Sequence, residues 1–138
     1  MPAPSKTAKV FDALHSPPLT EQSLEGTRVT VRVPVKRAGA QMAGHYPGFP
    51  IMPGVLLIDC VRQAASSALG RELRLCRIDR ARFTRPLLAG DELELSLLVM
   101  PQTPQTGTRI AVRARAARGD GLTAADLSVV CEPVVSDA

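Results

Sequence analysis

The stretch from Gly44 to Leu69, GHYPGFPIMPGVLLIDCVRQAASSAL, changes character at Gly54. Before that point Pro47, Gly48, Pro50 and Pro53 follow one another too closely for a helix or a regular strand to run through. After it, Val55, Leu56, Leu57, Ile58, Cys60, Val61, Ala64, Ala65, Ala68 and Leu69 place apolar or small side chains on every side of a helical wheel. That is the pattern of a buried helix. Pro53 suits a first helical turn, where a missing N–H costs nothing, and Gly70 suits a C-terminal cap. The stretch therefore predicts a rigid loop that holds His45 and feeds a buried helix carrying one acid, Asp59.

Asp59 is the position where chemistry is expected. A lone carboxyl amid apolar neighbours is costly to keep ionised. The plainer alternative puts it on a polar seam of the helix with Arg62, Gln63 and Ser66. Taken singly, neither Asp59 nor a loop histidine decides between these readings. Their pairing across the Pro/Gly loop favours a site.

On either side of this stretch the pattern alternates with a period of two. Val29, Val31, Val33 and Val35 share one side, with Arg28, Thr30, Arg32 and Pro34 on the other, which predicts a half-buried strand from Thr27. Glu72 to Phe83 reads as a strand with imperfect alternation. Leu93, Leu95, Leu97 and Val99 alternate with Glu92, Glu94 and Ser96. Ile110, Val112, Ala114 and Ala116 alternate with Arg109, Arg113 and Arg115. A Gly119-Asp120-Gly121 turn leads to a last strand, Leu122 to Glu132. Short turns favour antiparallel pairing. The expected fold is α+β: five antiparallel strands wrapped around one buried helix. Residues 1–26 are expected to be an N-terminal tail with one short helical turn near Val10–Leu14. One domain is expected over 27–134, and a second tail over 135–138.

Composition bounds the rest. A chain of 138 residues fits one domain. Aromatic residues make up only 3%, so the core must be aliphatic. No apolar run approaches the roughly 18 residues of a membrane span, and the N-terminus lacks a secretory layout. Cys60, Cys76 and Cys131 are odd in number and widely spaced, which suggests free thiols in a reducing cytoplasm. His15, beside Pro17 and Pro18, reads as solvated surface. The net charge of +4 rests on arginines that alternate with apolar residues, with almost no aromatics to stack on bases. It therefore points to an acidic protein partner over nucleic acid. No metal-ligand set or phosphate-binding glycine fingerprint is visible.

His45, Tyr46, Pro47, Gly48, Pro50, Pro53, Gly54, Val55, Leu56, Asp59 and Gln63 follow the spacing of a known signature. So do Ile78 to Pro86 and Gly90-Asp91. On these residues the chain resembles the 3-hydroxyacyl-(acyl carrier protein) dehydratases of fatty-acid synthesis (FabZ/FabA-like), across roughly residues 26 to 132. It departs from the larger branch in having Asp59 where Glu is usual; Asp occurs in a second branch, which also isomerises the product double bond. Its segment before Gly26 does not match the usual leader. The resemblance implies a hot-dog fold and a homodimer joined edge to edge, with His45 of one subunit facing Asp59 of the other.

Dehydrating a 3-hydroxyacyl thioester requires a base at C2, an acid for the leaving hydroxyl at C3, and a donor to the thioester oxygen. His45 suits the base, with its charge change near neutral pH. Asp59 suits the acid if apolar surroundings keep it protonated part of the time. The N–H of Gly54, at the start of the helix, suits the donor, with Val55 beside it in the substrate site. Gln63, four residues after Asp59, can hydrogen-bond and orient its carboxyl. No cofactor is expected beyond the phosphopantetheine arm that the substrate brings from acyl carrier protein or coenzyme A. Arg74, Arg77, Arg80, Arg82 and Arg85 cluster after the helix. Strict alternation puts Arg74, Arg80 and Arg82 on one side and Arg77 and Arg85 on the other. Arg82 and Arg85 are the candidates for docking an acidic carrier protein. A hot-dog thioesterase, with Asp59 activating water, and a non-catalytic acyl-carrier-binding or dimer-partner protein remain the alternatives.

Overall fold

The computed structural model describes residues 18–35, 52, 54–88 and 90–135. In chain order its elements are β1 (Leu19–Ser23), β2 (Gly26–Pro34), α1 (Gly54–Leu69), β3 (Leu73–Phe83), β4 (Glu92–Val99), β5 (Ile110–Arg118) and β6 (Thr123–Pro133). The strands form one sheet in the order β1-β2-β4-β5-β6-β3, with every neighbouring pair antiparallel. The helix lies between β2 and β3 in sequence, and it carries the chain across the sheet to its far edge.

The alternating strands are as the sequence predicts. In β2 the buried residues Val29, Val31 and Val33 are at most 3% exposed, while Arg28 and Arg32 face solvent. In β4, Leu93, Leu95, Leu97 and Val99 are buried in the same way, and β5 repeats the pattern with Ile110, Val112, Ala114 and Ala116. These side chains form one aliphatic cluster with Leu57, Cys60, Val61, Ala64 and Ala65 of α1. Area removed from water on this scale is the main favourable contribution to folding. With so few aromatics, it comes from many small increments.

The helix ends where Gly70 was expected to cap it. Gly70 takes a left-handed φ of 66°, a conformation that glycine adopts without strain. Its N–H donates to Ser67 O at 3.3 Å, and the N–H of Arg71 donates to Ser66 O at 3.2 Å. That pair of bonds is a Schellman ending, which satisfies two carbonyls the helix leaves free.

Three expectations need correction. The helix is not buried on all sides: Val55 is 73% exposed, and Leu56, Ile58 and Asp59 are half-buried, because the sheet covers only one side of α1 within a single chain. The sheet has six strands, since Leu19–Ser23, inside the expected tail, pairs with β2 as β1. The arginines of β3 do not divide by strict alternation. Register shifts at Leu75/Arg77 and Ile78/Arg80 each insert one residue, and such a bulge resets which side the next side chain takes. Arg74, Arg77, Arg80 and Arg82 stand opposite Glu132, Val130, Ser128 and Asp126 of β6, every second residue, so all four arginines face outward.

Candidate functional site

The site is built where the N-terminus of α1 meets the end of β3. The N–H of Met52 donates to Leu87 O at 2.8 Å, which fastens the approach to the helix onto the segment after β3. Phe83 lies beneath the first helical residue, so close that a Cβ on Gly54 would fall 2.8 Å from its ring. A side chain at this position would have to push the Phe83 ring aside. A cleft of about 380 Å³ opens beside it, lined by Met52, Gly54, Leu57, Phe83, Arg85 and Leu87 among others. The first N–H groups of α1 have no partner within the helix, and the helix dipole favours negative charge at that end. That end of the helix, with Gly54 at the cleft, is therefore suited to negative charge.

Asp59 follows about 7.5 Å further along the helix axis. Its Oδ1 accepts a hydrogen bond from Arg62 Nε at 2.7 Å, and its Oδ2 accepts one from Gln63 Nε2 at 2.8 Å. Both donors are buried, each 7% exposed. Arg62 also donates through Nη1 to Leu73 O at 3.1 Å, while Ser66 Oγ accepts from Leu73 N at 3.1 Å. The polar seam of Asp59, Arg62, Gln63 and Ser66 thus fixes the carboxyl on one side. On the other it ties down both main-chain groups of the first residue of β3. The surroundings of Asp59 are polar, and of the two readings the sequence allowed the structure bears out the polar seam: a guanidinium and an amide lie directly on its carboxyl.

The sequence placed Arg62 on the seam beside Asp59 but gave it no part in holding β3. Its spacing of three from Asp59 was the available signal; its burial and its second bond to β3 were not legible. One of its nitrogens, Nη2, is buried with no hydrogen-bond partner among the described residues. Next to the seam, the Cys60 thiol is pushed far above its usual range by burial, then by the charge of Asp59, with Arg62 opposing. A thiol held neutral in this way is a packing group, since the thiolate is the reactive form.

The expected site residues are distributed as follows. Gly54, Asp59 and Gln63 share α1, with Gly54 at the cleft. Val55 points to solvent. Arg85 lines the cleft and donates from Nη1 to Thr123 O at 2.6 Å, whereas Arg82 stands on the outer face of the sheet opposite Asp126. His45 and the rest of the Pro/Gly loop before Met52 lie outside the described residues. Among the described residues, no group of three His, Cys, Asp or Glu side chains could hold a metal ion, and no helix is long and apolar enough to cross a membrane.

The chain is similar in sequence to curated dehydratases and in fold to a wider set of solved structures. A 3-hydroxyacyl-[acyl-carrier-protein] dehydratase FabZ of Desulforamulus reducens is 36% identical over 110 residues, covering 72% of this chain and 73% of its own. Of several other curated FabZ relatives the chain spans only 45% to 61% of the length. Among solved structures, the dehydratase heterocomplex ApeI:P from Xenorhabdus doucetiae superposes with a TM-score of 0.62 at 21% identity, over 83% of this chain and 97% of that one. A hypothetical thioesterase with coenzyme A from Streptococcus pneumoniae gives 0.63 at 12% identity, over 92% of each. These two likenesses establish the hot-dog fold. The family described as ApeI-like, ApeI dehydratase, matches residues 21–120, a span that runs from β1 through the helix with Gly54, Asp59 and Gln63 into the turn after β5. By that match the chain belongs to the ApeI-like dehydratase family.

Proposed function

We propose that the protein dehydrates a (3R)-3-hydroxyacyl thioester, carried on acyl carrier protein, to the trans-2-enoyl thioester, in fatty-acid or polyketide-type biosynthesis. The observation that carries this reading is the Asp59 carboxyl, held at both oxygens by Arg62 and Gln63 on the helix whose N-terminus opens at the cleft. In the proposed reaction His45 takes the proton from C2. Asp59, in the protonated form that the reaction requires, gives its proton to the C3 hydroxyl, which leaves as water, and the proton that His45 took from C2 then restores the carboxyl. The N–H of Gly54 holds the charge that gathers on the thioester oxygen. Val55 borders the acyl group, and Gln63 keeps the carboxyl in one orientation. The phosphopantetheine arm arrives with the substrate.

A second subunit completes this arrangement. Strand β3 is a sheet edge, exposed along nearly its whole length, with Leu75, Ile78 and Phe83 37% to 50% exposed. An open edge with apolar side chains is a template for another strand. Pairing with a second copy, or with a different subunit (the ApeI:P protein is a heterocomplex), would cover it, and with a second copy His45 of one chain would face Asp59 of the other. Arg85, at the cleft, is the proposed contact for the acidic carrier, whereas Arg82, on the outer face of the sheet, lies away from it.

One observation favours a second reading. A carboxyl paired with an arginine is suited to act as a base on water, which would make the protein a hot-dog thioesterase. Incubation with a 3-hydroxyacyl thioester separates the two, because enoyl absorbance reports dehydration and free thiol reports hydrolysis. The expected result is enoyl product from the parent. In His45→Ala turnover should fall by about 10² to 10⁴, the usual cost of losing a general acid–base group. Free thiol without enoyl product would replace the dehydratase by the thioesterase.

A further inference from the structure

The outer face of the sheet, turned away from α1, carries arginines that no acid among the described residues neutralises. Strand pairing fixes their positions. Arg113 of β5 lies opposite Ser128 of β6, which in turn lies opposite Arg80 of β3. Two residues along, Arg115 lies opposite Asp126, which lies opposite Arg82. Paired residues point to the same side of a sheet. The four arginines therefore mark the corners of a rectangle about 10 Å across the strands and about 7 Å along them. Ser128 and Asp126 occupy its middle. The surface there dips into a depression of about 630 Å³, whose walls include Arg28, Arg80, Arg113 and Arg115.

The other arginines of β2 and β3 each have an acid. Arg28 meets Glu25 at 3.5 Å, Arg32 meets Glu94 at 3.5 Å, Arg74 meets Glu132 and Arg77 meets Asp79. Among the described residues, Arg80, Arg82, Arg113 and Arg115 form no ion pair. Arg115 donates instead to the hydroxyl of Thr123. Folding has left four cations around one carboxylate.

We propose that this rectangle docks an acidic α-helix of a protein partner. Charge complementarity sets the sign, and a second copy of this chain would bring the same four arginines against it. The spacing sets the shape. A helix lying across β5, β6 and β3 presents residues i and i+7 about 10.5 Å apart, which matches the two strand spacings between Arg113 and Arg80. A neutral side chain at i+3 or i+4 then covers Ser128 and Asp126, where a carboxylate would meet a like charge. Guanidinium forks bind carboxylates at two points, which makes arginine suited to such a contact. The surface lies on the opposite side of the sheet from the cleft, and the proposal concerns binding alone, independent of the reaction at Asp59.

The test uses two helix-forming peptides of 21 residues and one composition, labelled for fluorescence anisotropy. One carries glutamates seven residues apart along a single face; in the other the same glutamates are rearranged. A single-stranded oligonucleotide of equal charge is the third probe. The first peptide should bind the parent protein at least tenfold more tightly than the second, and more tightly than the oligonucleotide. Arg80→Glu/Arg113→Glu should weaken it at least tenfold with the melting temperature kept. Should that variant fail to fold, Arg80→Gln/Arg113→Gln should give a smaller loss in the same direction. Equal binding of both peptides, tighter binding of the oligonucleotide, or full affinity in the variants would overturn the proposal.

Discussion

Arg62 lies beneath the helix, 7% exposed, against a carboxylate and a main-chain carbonyl. Arg113 lies on the far side of the sheet, open to water, with no acid within 4 Å among the described residues. The same side chain is kept charged by opposite means. Removing a guanidinium from water costs several kcal/mol unless the protein supplies partners, and for Arg62 it supplies Asp59 and Leu73. Water solvates Arg113, so the fold has no stake in it. Burial thus separates an arginine that holds the structure together from arginines that remain available to something else.

The largest expected effect comes from breaking the buried pair. Arg62→Met removes a partner of Asp59 and strands the carbonyl of Leu73. Stability should fall by about 2–4 kcal/mol, less than for a fully buried pair because the Asp59 side chain keeps 28% exposure. Turnover should fall with it, since the carboxyl loses one of its two holds. Asp59→Asn leaves Arg62 facing a neutral amide oxygen and should cost about 1–3 kcal/mol. An acid among apolar neighbours could become an amide without loss of stability, but with Arg62 on its carboxyl the same change leaves a buried cation without its counter-charge. Urea midpoints for both variants, and for Arg62→Met with Asp59→Leu, sharpen the contrast: the double variant should recover most of the loss, as replaced ion pairs often do. A double variant as unstable as the sum of its parts would mean that the two side chains act separately.

The two arginine settings also explain what the sequence could disclose. Strands β2, β4 and β5 were legible because a strict period of two, with valine and leucine inward and arginine or glutamate outward, admits one register. The capped helix was legible from Gly54 to Gly70. Asp59 and Gln63 could be placed together because four residues is a helical spacing. Strand β3 was not legible in detail, because its two bulges sit where the alternation falters and shift Arg77 to the side of Arg80 and Arg82. Strand β1 was missed for a simpler reason. Leu19, Thr20, Glu21, Gln22 and Ser23 are all exposed, and a strand with no buried face carries no periodic signal. The partner that Arg62 finds eleven residues away, at Leu73 O, depends on how the helix is laid over the edge of the sheet.

The cysteines repeat the contrast with a smaller effect. Cys60 and Cys131 are buried, whereas Cys76 is exposed on β3. Burial pushes the Cys131 thiol up to about 11, and moves Cys60 further in the same direction. Below the thiol value of the unfolded chain, about 8.5, both states hold these protons and stability does not depend on them. Above it the unfolded chain releases protons that the folded chain keeps, so stability declines as pH rises towards 11. Each thiol contributes up to about 1.4 kcal/mol per pH unit in that window. Unfolding midpoints of Cys131→Ala between pH 8 and 10.5 should therefore fall less steeply than those of the parent. Equal slopes would show that the thiol is not shielded. In the native protein a thiol reagent should modify Cys76 alone, and in an assembly that covers β3 it should modify none.

The smallest expected effect is the one that most directly opposes Arg62 to the outer face. Arg113→Gln keeps the length and the polar end of the side chain while removing its charge. No acid loses a partner, no main-chain group is stranded, and two neighbouring arginines, Arg80 and Arg115, feel less repulsion. Surface changes of this kind stay within about 0.5 kcal/mol, and relief of like charge places the result on the stabilising side of zero. The gain should shrink when salt is raised, because exposed charges about 10 Å apart are largely screened near 0.1 M ionic strength. Urea midpoints at low and high salt measure both quantities. A loss above 1 kcal/mol would mean that Arg113 is bound by its own chain as Arg62 is. It would remove the distinction between a structural arginine under the helix and free ones on the outer face.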